Sequence, residues 1–221
     1  MTDERYSSYP VFKIDTDKLA DVDRDLATKE LTTLLDNFAP RVHTRGAYTT
    51  VAFTADADLM FWWIADTVDD IEELLIEFKR TRLGRVASPV ETFLGVTRPA
   101  EFARDHQPAF VKGDDPKKYI CVYPFVRTPE WYLLDPKERG GLLREHGEAG
   151  REFSDVLANT TSAFGLGDFE WILCFEADSP VRIVELIRRL RATEARRYTK
   201  VEIPFVSGIR KDLGKLVNDL S

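Results

Sequence analysis

The 221-residue sequence contains few cysteines and few histidines, two residue types that often hold metal ions in proteins. It has two cysteines and three histidines, and both Cys121 and Cys174 lie within apolar segments far apart in sequence. The paired cysteine spacing of zinc and iron–sulfur sites is absent. We therefore expect both cysteines to be buried, reduced thiols.

The sequence also lacks a long apolar run and an excess of basic residues. Its most apolar stretch, residues 59–65, is too short to span a bilayer, and the first residues, MTDERYSSYP, lack the apolar core of a signal peptide. The net charge of −7 argues against general binding to nucleic acid. These features predict a cytoplasmic globular protein with neither a transmembrane segment nor a nucleic-acid partner.

An internal repeat organises the chain. Asp56 and Asp66 recur 112 positions later as Asp168 and Asp178. The first copy shows strand patterns at residues 9–15, 42–53, 59–65 and 92–96, with amphipathic helices at 21–38 and 68–82. This β-α-β-β-α-β order is that of a ferredoxin-like module, and the second copy repeats it. We predict an α+β fold of two tandem ferredoxin-like modules, paired face to face as a dimeric-type α+β barrel.

The predicted boundaries are an N-terminal module at residues 1–97, a linker at 98–118 and a C-terminal module at 119–221. The linker is polar and contains several prolines and charged residues. The helix near residues 28–37 of the first copy has no histidine, whereas the matching helix of the second copy contains His146. We therefore expect the C-terminal module to bind the ligand and the N-terminal module to be structural.

The helix around His146 is unusually rich in glycine. Asp135 is a good N-cap and Pro136 suits the first helical position. His146 shares one helix face with Gly150 and lies beside Gly147. A glycine inside a helix costs about 1 kcal/mol relative to alanine, so something should offset that cost. A flat ligand whose central iron binds a neutral His146 would do so, as haem commonly does. The alternative is a half-exposed helix histidine beside packing glycines.

Three motifs in this stretch resemble those of a known family. They are Tyr123-Pro124-Phe125-Val126-Arg127, then Trp131-Tyr132-Leu133-Leu134, then the HGxxGR motif of residues 146–151. In this order they resemble the C-terminal half of the chlorite dismutase superfamily, and within it the actinobacterial branch of coproheme decarboxylases. The resemblance extends to TRGAY at residues 44–48 and ADADLMFWW at residues 55–63.

The resemblance implies a role for three residues in chemistry at iron. His146 would be the metal ligand. Tyr123 would form a tyrosyl radical that removes hydrogen from a substrate propionate. His106, in the linker, would be the distal base that takes a proton from hydrogen peroxide; the alternative for it is an exposed loop histidine.

The resemblance also implies residues that hold the substrate. Arg127 would bind a propionate, and Phe125 would pack on the ring edge. Trp131 would hydrogen-bond a propionate or be oxidised itself, although core packing is equally compatible with its position. Gly150 would let the porphyrin approach the helix, and Arg151 would bind it or form a salt bridge within the fold. His43 has no ligand motif around it, and we interpret it as structural.

The activity implied is the hydrogen-peroxide-dependent oxidative decarboxylation of Fe-coproporphyrin III (coproheme) to haem b. Two propionates become vinyl groups and two CO2 molecules leave, which completes coproporphyrin-dependent haem biosynthesis. The resemblance further implies a homopentamer and transient contact with a coproporphyrin ferrochelatase.

Other functions stay open from the sequence. A chlorite dismutase or a haem peroxidase could share the fold, but chlorite dismutases place an arginine over the distal iron face, and the matching residues 156–160 contain none. A non-enzymatic haem carrier would have no use for Tyr123. A ligand-free structural protein would not require the glycine-rich helix.

Overall fold

The computed structural model describes residues 4–99 and 107–220, so His106 lies outside the described residues. The strands are β1 (Tyr6–Ile14), β2 (Val42–Thr49), β3 (Leu59–Ala65), β4 (Ala87–Val96), β5 (Tyr119–Arg127), β6 (Leu157–Ser162), β7 (Trp171–Ala177), β8 (Thr199–Val201) and β9 (Val206–Arg210). The α-helices are α1 (Thr16–Leu19), α2 (Arg24–Phe38), α3 (Val68–Arg80), α4 (Ala109–Lys112), α5 (Pro129–Leu133), α6 (Pro136–Arg151), α7 (Pro180–Leu190) and α8 (Leu213–Asp219). Short 3-10 helices cover Gly84–Val86 and Glu194–Tyr198.

The chain divides into two compact units. The first unit comprises Met1–Val96 together with Val206–Ser221, and the second comprises Thr97–Phe205. The chain passes from the first unit to the second after Val96 and returns to the first at Val206. Residues from Val206 onward belong to the first unit because β9 pairs with the outer edge of β2, with Thr49 opposite Ile209.

The first unit is an antiparallel sheet with the strand order β4-β1-β3-β2-β9. Alternate residues of β3 face the helices, which is the period-2 pattern of a strand. Phe61 stacks on Trp63 with ring centroids 5.3 Å apart, and Phe78 of α3 meets Phe61 edge-on at 5.2 Å. Leu216 and Val217 of α8 complete this core, in which both are fully buried.

The TRGAY segment shapes β2. The pairing of β2 with β3 shifts register between Thr44 and Gly46, which marks a bulge. A β-carbon at Gly46 would overlap the phenol of Tyr48. Glycine is required at this position because the tyrosine ring folds back over the strand.

The second unit repeats the arrangement of the first. Its antiparallel order, β6-β7-β5-β8, corresponds to β2-β3-β1-β4. The equivalent strands β3 and β7 begin 112 residues apart, as do the helices α3 and α7. The predicted α+β fold with two ferredoxin-like β-α-β-β-α-β modules is confirmed. Both cysteines are buried and free, also as expected.

The second half of the predicted linker is held by the second unit. The Phe110 backbone N–H donates to Asn159 Oδ1 at 2.9 Å, and the Lys117 N–H donates to Glu176 Oε2 at 3.1 Å. Asn159 and Glu176 are buried and hydrogen-bonded to each other at 3.2 Å. Gly113 ends α4 with φ of 82°, a left-handed conformation that favours glycine. Among the described residues, none of the helices combines the length and apolar character that crossing a bilayer requires.

The core position of α8 leads to a stability prediction. Leu216→Ala should lower the free energy of unfolding by about 2–5 kcal/mol, because it leaves a cavity in the first unit's core. Asn218→Ala is the matched control on the same helix, since Asn218 is exposed. Urea denaturation of both variants measures the effect. Equal small losses in the two would show that α8 does not contribute to the core.

Candidate functional site

Four of the residues singled out from the sequence line one cavity in the second unit. Tyr123, Phe125 and Arg127 reach it from β5, and His146 reaches it from α6. The three β5 residues lie two apart, so they share one face of the strand. The other lining residues come from β7, α7 and the segment after α7: Leu173, Ile187, Leu190, Arg191, Ala195, Arg196, Thr199 and Glu202. The cavity measures about 50 Å³.

Tyr123 is buried at the wall of this cavity, with 4% of its surface exposed. Its ring stacks on Phe205 with centroids 4.4 Å apart and an interplanar angle of 24°. Burial raises the pKa of the Tyr123 phenol far above its ordinary value, because a phenolate would be poorly solvated there. The phenol therefore keeps its proton at every working pH.

Arg127 is a buried guanidinium that pairs with neutral groups. Its Nη1 donates to the Ala195 carbonyl at 2.9 Å, and the group lies over the Trp131 ring at 4.1 Å. Among the described residues, no carboxylate forms an ion pair with it. Burial lowers the pKa of Arg127 to about 10, which shows that its charge is incompletely compensated. An anion entering the cavity would restore that compensation.

A second group of charges lines the same cavity. The Glu202 carboxylate contacts Arg191 at 3.1 Å and Arg196 at 2.5 Å. One carboxylate is thus shared by two guanidinium groups. Together with Arg127, the cavity wall carries three positive charges and one negative charge, an arrangement that favours an anionic ligand.

His146 lies half-buried on α6, with Nδ1 3.2 Å from the Thr193 hydroxyl. The helix beside it is open: a β-carbon at Gly147 would meet no atom within 4 Å, and one at Gly150 would meet only Leu190, at 3.9 Å. Of the sixteen residues of α6, all of them described, Ala149 alone is buried. The helix therefore presents a histidine on a face that its own side chains leave uncovered.

The other described residues of the prediction do not line the cavity. Trp131 is buried and packs between Arg127 and Tyr198, whose ring is 5.6 Å away, so it supports the arginine. Arg151 is exposed at the end of α6. His43 lies on β2 of the first unit, where burial and the nearby Arg45 lower its pKa. His106 falls outside the described residues.

Sequence reasoning missed four residues of the site. They are Thr193, Arg191, Arg196 and Glu202, which belong to no recognisable motif. The three charged residues line the cavity and Thr193 contacts His146, because the chain after α7 returns to pair with β5 at β8. The one available signal was the repeat, in which Val201-Glu202 echoes Val90-Glu91. This correspondence indicated equivalent positions in the two modules. It did not indicate that the charge of Glu202 would lie in the site.

Comparison with known proteins places this chain in a family. Residues 24–211 match the family described as chlorite dismutase. A curated relative from Mycolicibacterium smegmatis, named coproheme decarboxylase, is 46% identical over 217 residues, covering 98% of this chain and 94% of the relative.

Solved structures show the same fold. A chlorite dismutase from Candidatus Nitrospira defluvii in complex with imidazole matches with a TM-score of 0.88 and 23% identity, covering 98% of this chain and 94% of that one. A cyanide complex of a mutant of that enzyme matches equally well, with a TM-score of 0.88. With a family match over most of its length and a relative 46% identical, this chain belongs to the chlorite dismutase family.

Proposed function

We propose that this protein is a coproheme decarboxylase, which uses hydrogen peroxide to convert Fe-coproporphyrin III to haem b. One observation carries the proposal: Tyr123, Arg127 and His146 line a single cavity in the second unit. These are the residues for which the resemblance to the family implies the roles of radical former, propionate ligand and iron ligand. The 46% identical relative that is named coproheme decarboxylase supports the same activity.

The residues present fit a porphyrin that carries carboxylates. The Arg127 guanidinium is buried and forms no ion pair with a carboxylate among the described residues, and propionates would supply one. The open face of α6 around His146, Gly147 and Gly150 has no side chains that would hold a flat ring away. Among the described residues, no cluster of three or more His, Cys, Asp or Glu is arranged to hold a metal ion.

Binding requires the cavity to enlarge. Its volume of about 50 Å³ is well below the roughly 300–1,000 Å³ of pockets that hold small ligands. The helix α6 adds little core packing that would oppose this, because Ala149 is its single buried residue along a fully described length. We infer that the cavity widens when coproheme enters while His146 keeps its contact with Thr193.

Each decarboxylation consumes one molecule of hydrogen peroxide. A propionate side chain, –CH2CH2COO⁻, reacts with H2O2 and one proton to give a vinyl group, CO2 and two water molecules. The bound iron supplies the oxidising power for this two-electron step when peroxide reacts with it. Two such reactions convert coproheme to haem b.

The chain itself contributes position and proton control. Because the Tyr123 phenol stays protonated, it must lose its proton and electron together when it is oxidised. The resulting tyrosyl radical takes a hydrogen atom from the β-carbon of the adjacent propionate. Arg127 holds that carboxylate until a second electron and CO2 leave. Stacking on Phe205 holds the Tyr123 ring in position.

The other sequence-derived roles stay proposals. His106 would act as the distal base toward peroxide, and Phe125 would pack on the ring edge. Trp131 would hydrogen-bond a propionate or be oxidised, and its ring also supports the Arg127 guanidinium at 4.1 Å. Gly150 would admit the ring, and Arg151, which is exposed at the end of α6, would bind its carboxylates.

We further propose a cytoplasmic homopentamer that receives coproheme from a coproporphyrin ferrochelatase. The subunit number and the ferrochelatase contact rest on resemblance to the family. The cytoplasmic location also rests on the two free, buried cysteines. Light scattering of the purified protein measures the number of subunits directly.

One experiment distinguishes the proposed decarboxylase from a carrier, a peroxidase and a chlorite dismutase. The protein is loaded with ferric coproheme and titrated with hydrogen peroxide, and the porphyrin is followed by absorbance and mass spectrometry. Stepwise loss of two carboxyl groups, ending at the mass of haem b, is the expected result. Tight binding without mass loss would instead indicate a carrier or a peroxidase, and oxygen release from added chlorite would indicate a chlorite dismutase.

Tyr123→Phe should bind coproheme as the wild type does and lose decarboxylation, because it removes only the oxidisable hydroxyl. Tyr119→Phe is the matched control: this tyrosine lies four residues earlier on β5 and outside the cavity. Mass spectrometry after peroxide addition measures both. Vinyl products from Tyr123→Phe would refute the radical role.

Arg127→Met should weaken coproheme binding about 10–100-fold, since it removes a charge-assisted hydrogen bond worth about 1.5–3 kcal/mol. Arg182→Met, on the exposed side of α7, is the control and should bind normally, because Arg182 pairs with Asp155 and Glu185. Titration by absorbance gives both affinities. Unchanged affinity in Arg127→Met would exclude a propionate contact.

A further inference from the structure

The hydroxyl of Thr193 contacts two groups at once. It lies 2.7 Å from the Leu190 carbonyl oxygen and 3.2 Å from His146 Nδ1. Thr193 is itself buried, with 3% of its surface exposed. Its backbone N–H also donates to the Leu190 carbonyl, at 3.2 Å, so the turn after α7 fixes the position of the side chain.

These contacts determine where the protons are. Two oxygen atoms at 2.7 Å need a hydrogen between them, and the Leu190 carbonyl has none to give. The single proton of the Thr193 hydroxyl therefore points at Leu190, and its lone pairs remain for His146. The histidine Nδ1 must then be the donor, so neutral His146 carries its proton on Nδ1 and its lone pair on Nε2.

We propose that Thr193 is a positioning residue that holds His146 in the Nδ1–H tautomer, with Nε2 ready to bind the iron of the substrate porphyrin. The inference rests on the proposed function for the identity of that porphyrin. The hydrogen bond itself belongs to the protein without ligand, so it can be measured separately.

The nature of the acceptor also matters. A carboxylate that accepts the Nδ1 proton would draw it away from the ring, make the imidazole more basic and lower the reduction potential of the iron. A threonine hydroxyl that already donates to a carbonyl is a neutral and much weaker acceptor. His146 would therefore bind the iron as an imidazole with little anionic character.

Two carboxylates lie close enough in sequence to be alternative acceptors. Glu145 precedes His146, and its Oε2 accepts a hydrogen bond from the Glu194 backbone N–H at 3.3 Å. Glu194 follows Thr193, and its side chain pairs with Arg197. Both are exposed, and both are engaged in these contacts. Their glutamine variants are matched controls for the Thr193 substitution.

The first test uses the full-length protein without porphyrin. Nitrogen-15 NMR of the three histidine side chains, with His146 assigned from the spectrum of His146→Gln, reports which ring nitrogen carries the proton. The expected result is a protonated Nδ1 and an unprotonated Nε2 in the wild type and in Thr193→Ser. In Thr193→Val that pattern should give way to a mixture of the two tautomers. A wild-type His146 protonated on Nε2 would overturn the proposal.

The second test uses ferric coproheme as the probe. Thr193→Val should bind it about 10–100-fold more weakly, the usual effect of losing a partner of a ligating histidine, and Thr193→Ser should restore binding. The iron–histidine stretching band of the reduced complex should shift in Thr193→Val and not in Glu145→Gln or Glu194→Gln. A shift in a glutamine variant without one in Thr193→Val would assign the role to a carboxylate and overturn the proposal.

These experiments distinguish failure of the proposed reaction from failure of the positioning role proposed for Thr193. If the NMR pattern is as expected and coproheme binds but loses no mass with peroxide, the proposed reaction is wrong and the positioning role of Thr193 stands. If haem b forms while Thr193→Val keeps both the wild-type tautomer and the wild-type affinity, the positioning role is wrong and the reaction stands.

Discussion

The pairing of β5 with β7 is the interaction on which the candidate site depends. Tyr123 lies opposite Leu173 in this antiparallel ladder, and Phe125 lies opposite Trp171. Because side chains alternate across a strand, this register brings residues 123 and 125 to one face, beside Leu173. A shift by one residue would turn both away from the cavity and from His146. Arg127 follows a register shift at Val126 and pairs with Thr199 of β8, so the pairings of β5 with β7 and with β8 together bring the phenol, the guanidinium and the imidazole to the same cavity.

The two units follow the same plan and differ in how the equivalent helix is packed. In the first unit α2 buries Ala27, Leu31, Leu35 and Phe38, so the helix is held by its own side chains. In the second unit α6, described over its full length, buries Ala149 alone and contains several glycines. Burial of apolar side chains is the main source of helix stability in a folded protein. The second unit has less of this stabilisation at α6 and gains a face on which a ring can lie.

The charge of the Arg127 guanidinium also favours binding of a porphyrin at this site. A buried guanidinium is costly unless an opposite charge compensates it, and Arg127 has carbonyl, hydroxyl and aromatic neighbours instead. The lowered pKa of Arg127 expresses this incomplete compensation. Under the proposed function, a substrate with several carboxylates would resolve the imbalance on binding. Affinity for propionates and selectivity for a carboxylate-rich porphyrin then have one physical origin.

The sequence by itself determined the module plan, the position of the repeat and the residues of the contiguous motifs. Hydrophobic periodicity and the 112-residue repeat are local properties of the chain, so the ferredoxin-like strand and helix order, and the assignment of Tyr123, Arg127 and His146 to one module, could be predicted. The tertiary structure alone decided that residues from Val206 onward join the first unit, because strand pairing depends on distant edges. It also decided that Thr193 meets His146, a contact made across 47 residues of sequence. Hydrogen bonds between segments so far apart leave no periodic trace in the chain, and only the folded geometry shows them.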